Sequence, residues 1–160
     1  MQAAKAVLLL SMWSGACVSA AALPSVAAAA EGVTTIQSAS DFKTTLGKLG
    51  LAIRARNLTL FAEIDHAAGA ASVGLGLRPT HLVIFGNPRG GTPTMACAQT
   101  MGLELPLKAL VFEDESGTVR IAMPDTAAMA ARHRLGDCGK PAIEAMGKAL
   151  SAIAIEAAAP

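Results

Sequence analysis

The run His81-Leu82-Val83-Ile84-Phe85 passes directly into Gly86-Asn87-Pro88-Arg89-Gly90-Gly91-Thr92-Pro93, and no other stretch restricts the fold as much. Five nearly apolar residues between Arg78-Pro79-Thr80 and a glycine read as a central strand, and the Asn-Pro and Gly-Gly pairs then turn the chain out of the sheet. Thr92-Pro93 is a helix start, with the hydroxyl capping the first turn and proline at the first helical position; Gly102 is its stop.

The flanking segments follow from that strand. In the preceding strand, Leu58 to His66, alternation places Leu58, Leu60, Ala62 and Ile64 on one face and Thr59, Phe61, Glu63 and Asp65 on the other. Ala67 to Leu77 reads as a short helix of small residues. Downstream, Leu105-Pro106-Leu107 enters a strand over Lys108 to Phe112, which Glu115-Ser116-Gly117 turns into a hairpin with Thr118 to Met123. At the start, Thr34 to Gln37 is β-prone, Ser38 or Ser40 can cap a helix whose apolar face is Phe42, Leu46, Leu49 and Ile53, and Asn57 ends it. At the end, Asp125 caps an alanine-rich helix reaching His133 and Gly136. Pro141 then opens a closing helix with an apolar stripe of Ile143, Met146, Leu150 and Ile153. A strand with one half-polar face fits an antiparallel sheet that is open on one side.

At 160 residues, 52% hydrophobic and 16% charged, the chain has room for one globular domain and is not disordered. Its +1 formal charge leaves no basic footprint, and a single Trp, no Tyr and four Phe supply no base-stacking platform, so nucleic acid is excluded as a partner. Residues 1–30 read as a cleaved secretory signal: Lys5 is the positive start, Ala6 to Trp13 the apolar run, and Ala28-Ala29-Ala30 the cleavage site before Glu31, with Ala22 as a second site. A domain over 31–160, periplasmic or secreted, is expected. Ser11, Ser14, Gly15 and Ser19 interrupt a run that would need about 20 apolar residues to span a bilayer, so no transmembrane anchor is expected in the mature protein. Cys17, after Ser14-Gly15-Ala16, gives the alternative of a lipid anchor.

Without Cys17, the exported domain keeps Cys97 and Cys138. Two readings stay open: a disulfide closing a loop of about 40 residues and contributing about 3–4 kcal/mol, or a buried Cys97 beside a free Cys138 thiol.

Four blocks, Phe61-Ala62-Glu63-Ile64-Asp65-His66, Arg78-Pro79-Thr80, Phe85-Gly86-Asn87-Pro88 with Gly91-Thr92-Pro93, and Leu105-Pro106-Leu107-Lys108, occur here in an order that resembles the family called domain of unknown function 302. The resemblance covers roughly residues 34–155. It implies an α+β fold with an antiparallel sheet and helices packed on one side, similar to the TATA-binding-protein-like arrangement. It also implies a possible homodimer and no established activity. Where relatives carry a Tyr-Asn-Asp-Pro-like run, this chain has Met123-Pro124-Asp125-Thr126, so any chemistry needing that tyrosine is absent.

The clustered polar residues define the candidate site. Asp65-His66 pairs a carboxylate with an imidazole, useful for acid/base work provided that the strand turns there, since neighbours on a strand point apart; the structural alternative is Asp65 capping a helix. Asn87, Arg89, Gly90, Gly91 and Thr92 lie where a strand meets a helix, a geometry in which backbone N–H groups and a guanidinium can hold an anion. The loop echoes a phosphate-binding loop but lacks the Lys that reaches the phosphates, so no nucleotide is expected. Lys108, Glu63 and Glu113 can share a sheet face. His residues without ligand spacing, and methionines that read as core, imply no metal and no cofactor. The leading reading is a binding module for a small polar or anionic ligand, or for a partner, using Asp65, His66, Asn87, Arg89, Gly90, Gly91, Thr92 and Lys108. The alternatives are an enzyme using His66 with Asp65 or Glu63, and a structural dimerisation domain.

Overall fold

In a computed structural model that describes residues 31–160, the strands β1 (Val33–Gln37), β2 (Thr59–Asp65), β3 (Thr80–Gly86), β4 (Leu107–Glu113) and β5 (Val119–Pro124) form one antiparallel sheet in the order β1-β5-β4-β3-β2. The expected signal segment over residues 1–30, with its expected cleavage sites and the Cys17 alternative, lies outside the described residues. Five helices complete the chain: α1 (Phe42–Ala55), α2 (His66–Ser72), α3 (Pro88–Cys97), α4 (Thr126–Arg132) and α5 (Gly136–Ala158). A 3₁₀ turn, Gln99–Leu103, follows α3.

The alternation expected of a one-sided sheet is present. Leu107, Ala109 and Val111 of β4 and Val119, Ile121 and Met123 of β5 are buried, whereas Lys108, Leu110 and Phe112 on the other face are half-buried. The buried face packs against α1 and α5, where Leu49, Ile53, Leu150 and Ile153 close the core. The α5 stripe read from the sequence is the one buried, because its residues recur along one side of a helix long enough to cross the sheet.

Several local expectations change. The cap of α1 is Asp41, whose carboxylate accepts from Thr44 N–H at 2.9 Å, because Ser38 is buried and shares a hydrogen bond with Thr45 at 2.7 Å. α2 stops at Ser72 instead of reaching Leu77, since Gly74 takes a positive φ of 75° that a helix cannot continue through. β2 does not keep its faces: a bulge at Phe61 sets Leu60 opposite Phe85 but Ala62 opposite Ile84 and Ile64 opposite Leu82. The one extra residue transfers Ala62 and Ile64 to the open face. α3 begins at Pro88, capped by Asn87, so Pro93 lies inside the helix and not at its start. α5 likewise begins at Gly136 and contains Pro141.

Candidate functional site

The end of β3 opens into a cleft of about 790 Å³, within the range of small-molecule sites. One wall is α3 and the turn after it, with Arg89, Gly91, Met95 and Leu105; the other is α5, with Pro141, Ala142, Ala145 and Ala149. Buried Leu107 and Met146 line it more deeply, and exposed Asn87 and Arg89 stand at the rim. The space exists because the α5 wall offers side chains that stop at Cβ. Its sequence signal, Ala142, Ala145 and Ala149 at helical spacing beside the buried stripe, reads as ordinary helix composition without a facing wall.

Cys97 and Cys138 are joined by a disulfide with Cα atoms 5.9 Å apart. The bond ties the last residue of α3 to the first turn of α5, and so joins the two walls. Of the two cysteine readings, the structure takes the disulfide.

The expected site residues separate into two groups. Asn87, Arg89, Gly90, Gly91 and Thr92 all line the cleft, whereas Asp65, His66 and Lys108 do not. Asp65 uses its carboxylate to cap α2, accepting from Ala68 N–H at 2.8 Å; His66 is exposed on the first turn of that helix. Glu63 faces His81 at 3.6 Å, not His66. Lys108 Nζ donates to the carbonyl of Glu104 at 3.0 Å. Its partner across the sheet is Ile84 on the open face, while Glu63 and Glu113 pair with buried Val83 and Val119, so the three do not share a face.

The loop amides are also occupied. Arg89 N–H donates to Asn87 Oδ1 at 2.9 Å, and Gly90 and Gly91 N–H donate to the Asn87 carbonyl at 2.9 and 3.1 Å. Starting the helix at Pro88 engages these groups inside the turn, which removes the backbone donors expected to hold an anion. The Arg89 guanidinium, by contrast, has no hydrogen-bond or ion-pair partner among the described residues. Among the described residues it is also the only charged side chain on the cleft.

A second polar cluster joins residues that lie far apart in the sequence. Glu104 accepts from His133 Nε2 at 3.1 Å and from the Arg132 guanidinium, while His133 Nδ1 meets Thr100 Oγ at 2.9 Å. Burial pushes the Glu104 carboxyl up, but hydrogen bonds from His133 and Arg132 outweigh it and hold it below the ordinary range. The cluster joins the 3₁₀ turn to the end of α4. Its members are about thirty residues apart, and no local spacing announces it. No group of three or more His, Cys, Asp or Glu among the described residues is placed to hold a metal ion.

A family model for a domain of unknown function, DUF302, matches residues 34–153. Proteins named fluoride-specific ion channels from Brucella suis and Brucella melitensis are 42% identical over 115 residues, 72% of this chain. The chain spans 45% and 43% of their lengths, less than half of each. The crystal structure of an uncharacterised conserved DUF302 protein from Bacillus stearothermophilus superposes with a TM-score of 0.72 at 18% identity, covering 80% of this chain and 99% of that one. At that identity the likeness concerns the fold. No helix among the described residues is long and apolar enough to cross a membrane.

Proposed function

The chain belongs to the DUF302 family, and from that premise we propose that it is an exported binding module whose cleft takes up a small molecule through Arg89. One observation carries the reading: among the described residues, a cleft of small-molecule volume has a single charged residue, and its guanidinium has no partner. The acid/base alternative finds less support, because Asp65 is committed to a helix cap and Glu63 lies toward His81, at 3.6 Å, and not toward His66. The paired cysteines favour an oxidising compartment.

A thermal-shift screen of small organic acids on wild type, Arg89→Ala and His66→Ala tests this reading. Losing a charge-assisted contact costs about 1.5–3 kcal/mol, more than about tenfold in affinity. The expected outcome is that hits lose their effect in Arg89→Ala and keep it in His66→Ala. Hits unaffected by Arg89→Ala in a folded protein would overturn it. The activity named for the Brucella channels reaches this chain only as a further proposal, tested by including sodium fluoride among the anions.

A second reading, self-association, is favoured by exposed Phe61 and Ile64 on the edge strand together with Val73, Leu75 and Leu77 after α2. Such a run of large apolar side chains is the kind of surface that a partner covers. Light scattering on wild type and Leu75→Glu tests it: a dimer that Leu75→Glu converts to monomer supports it, and a wild-type monomer at high concentration overturns it.

A further inference from the structure

We infer that the ligand of the cleft is an amphipathic monoanion, an apolar chain of medium length carrying one carboxylate or similar head. The inference rests on the binding reading above and names the chemistry that such a cleft selects. The most buried residues on the cleft are apolar, and its one charged residue is exposed. Leu107 and Met146 are buried, Leu105 and Met95 are half-buried, and Ala145 and Arg89 are exposed at the rim. A wholly polar ligand would leave most of its donors and acceptors unmatched against the apolar walls, since only Asn87, Arg89 and Thr92 offer polar side chains there. An uncharged hydrocarbon would gain nothing from the free guanidinium.

Charge complementarity fixes the remainder. Among the described residues Arg89 is the only charged side chain on the cleft, and no carboxylate lines it to oppose an incoming anion. A planar guanidinium matches a carboxylate in two parallel hydrogen bonds. With the cation at the rim and the apolar surface inside, the ligand enters chain first and keeps its head at the mouth. Met95 and Met146 suit this arrangement, since flexible thioether side chains adapt to chains of differing length.

Titration calorimetry on the disulfide-bonded protein tests the inference with decanoate, decanol, acetate and inorganic phosphate. Decanoate should bind at least tenfold more tightly than acetate or phosphate. Arg89→Ala should weaken decanoate at least tenfold and decanol less than threefold, and Arg89→Lys should recover part of the loss. Ala145→Trp, which fills the mouth from an exposed helix position, should abolish binding of both; Ala149→Phe serves the same purpose should α5 be disturbed, with circular dichroism as the check on folding. Acetate or phosphate binding as well as decanoate, or decanoate binding unchanged in the filled cleft, would overturn the inference. If a small polar acid binds through Arg89 and decanoate does not, the inference fails while the binding reading stands; if neither binds, both fail.

Discussion

Asp65, Asn87 and Asp125 each sit at the last extended residue before a helix and accept from its first N–H groups. Asp65 illustrates why a suggestive pair in a sequence needs its backbone. Its neighbour His66 is already helical, so the carboxylate turns inward to the helix end and the imidazole outward. Removing such a cap costs about 1 kcal/mol. Asp65→Ala should therefore lower the unfolding free energy by about that amount in a urea titration and leave ligand affinity unchanged. Asp114 offers a pH test. Hydrogen bonds from Ser116 Oγ at 2.6 Å and Arg120 Nε at 2.5 Å hold its carboxyl far below the usual range. A depressed folded value means that the stabilisation is present above the unfolded pKa, about 3.9, and fades as pH falls through the lower folded value. Asp114→Asn should thus be less stable than wild type at neutral pH, with the gap closing in strong acid; an equal gap across that range, read by chemical denaturation, would contradict the assignment. The place of the loop was legible because Asn, Pro and Gly mark the turn from β3 into α3, which borders the cleft. Glu104 and His133 were not, because only the fold brings them together.

The elements themselves were mostly legible as types and less so at their ends. β3 and the α5 stripe follow from apolar periodicity, which packing against a sheet enforces. Two starts moved because proline is tolerated beyond the first helical position when the surrounding turns are held. Pro93 has no N–H to give the Arg89 carbonyl, yet α3 continues, with buried Thr94 donating to the Gly91 carbonyl at 2.8 Å. Thr94→Val keeps the shape and removes that bond, so it should cost about 1 kcal/mol, measured as a lower urea midpoint. The bulge at Phe61 was invisible to alternation, since a single inserted residue leaves no compositional mark. Holding α3 to α5 is the task of Cys97–Cys138. Replacing both by serine should cost about 2–5 kcal/mol; a loss under about 1 kcal/mol in denaturant would show that core packing alone fixes these helices.

For the molecule as a whole, strand and helix order placed the chain in its fold class, while the cleft required two segments about fifty residues apart in sequence to face each other. Export is the prediction at this scale. If the first thirty residues are removed, the sole tryptophan, Trp13, goes with them and no tyrosine remains. The mature protein should be nearly transparent at 280 nm, with an intact mass beginning at Glu31; a mass retaining Met1 or a lipid on Cys17 would reject it. The disulfide has a topological consequence as well. It closes a ring of backbone between residues 97 and 138 that carries β4, β5 and α4, and the Glu115–Gly117 turn within it is exposed. A protease that cuts once at that turn leaves the molecule in one covalent piece, which runs as a single band until a thiol is added and then as two.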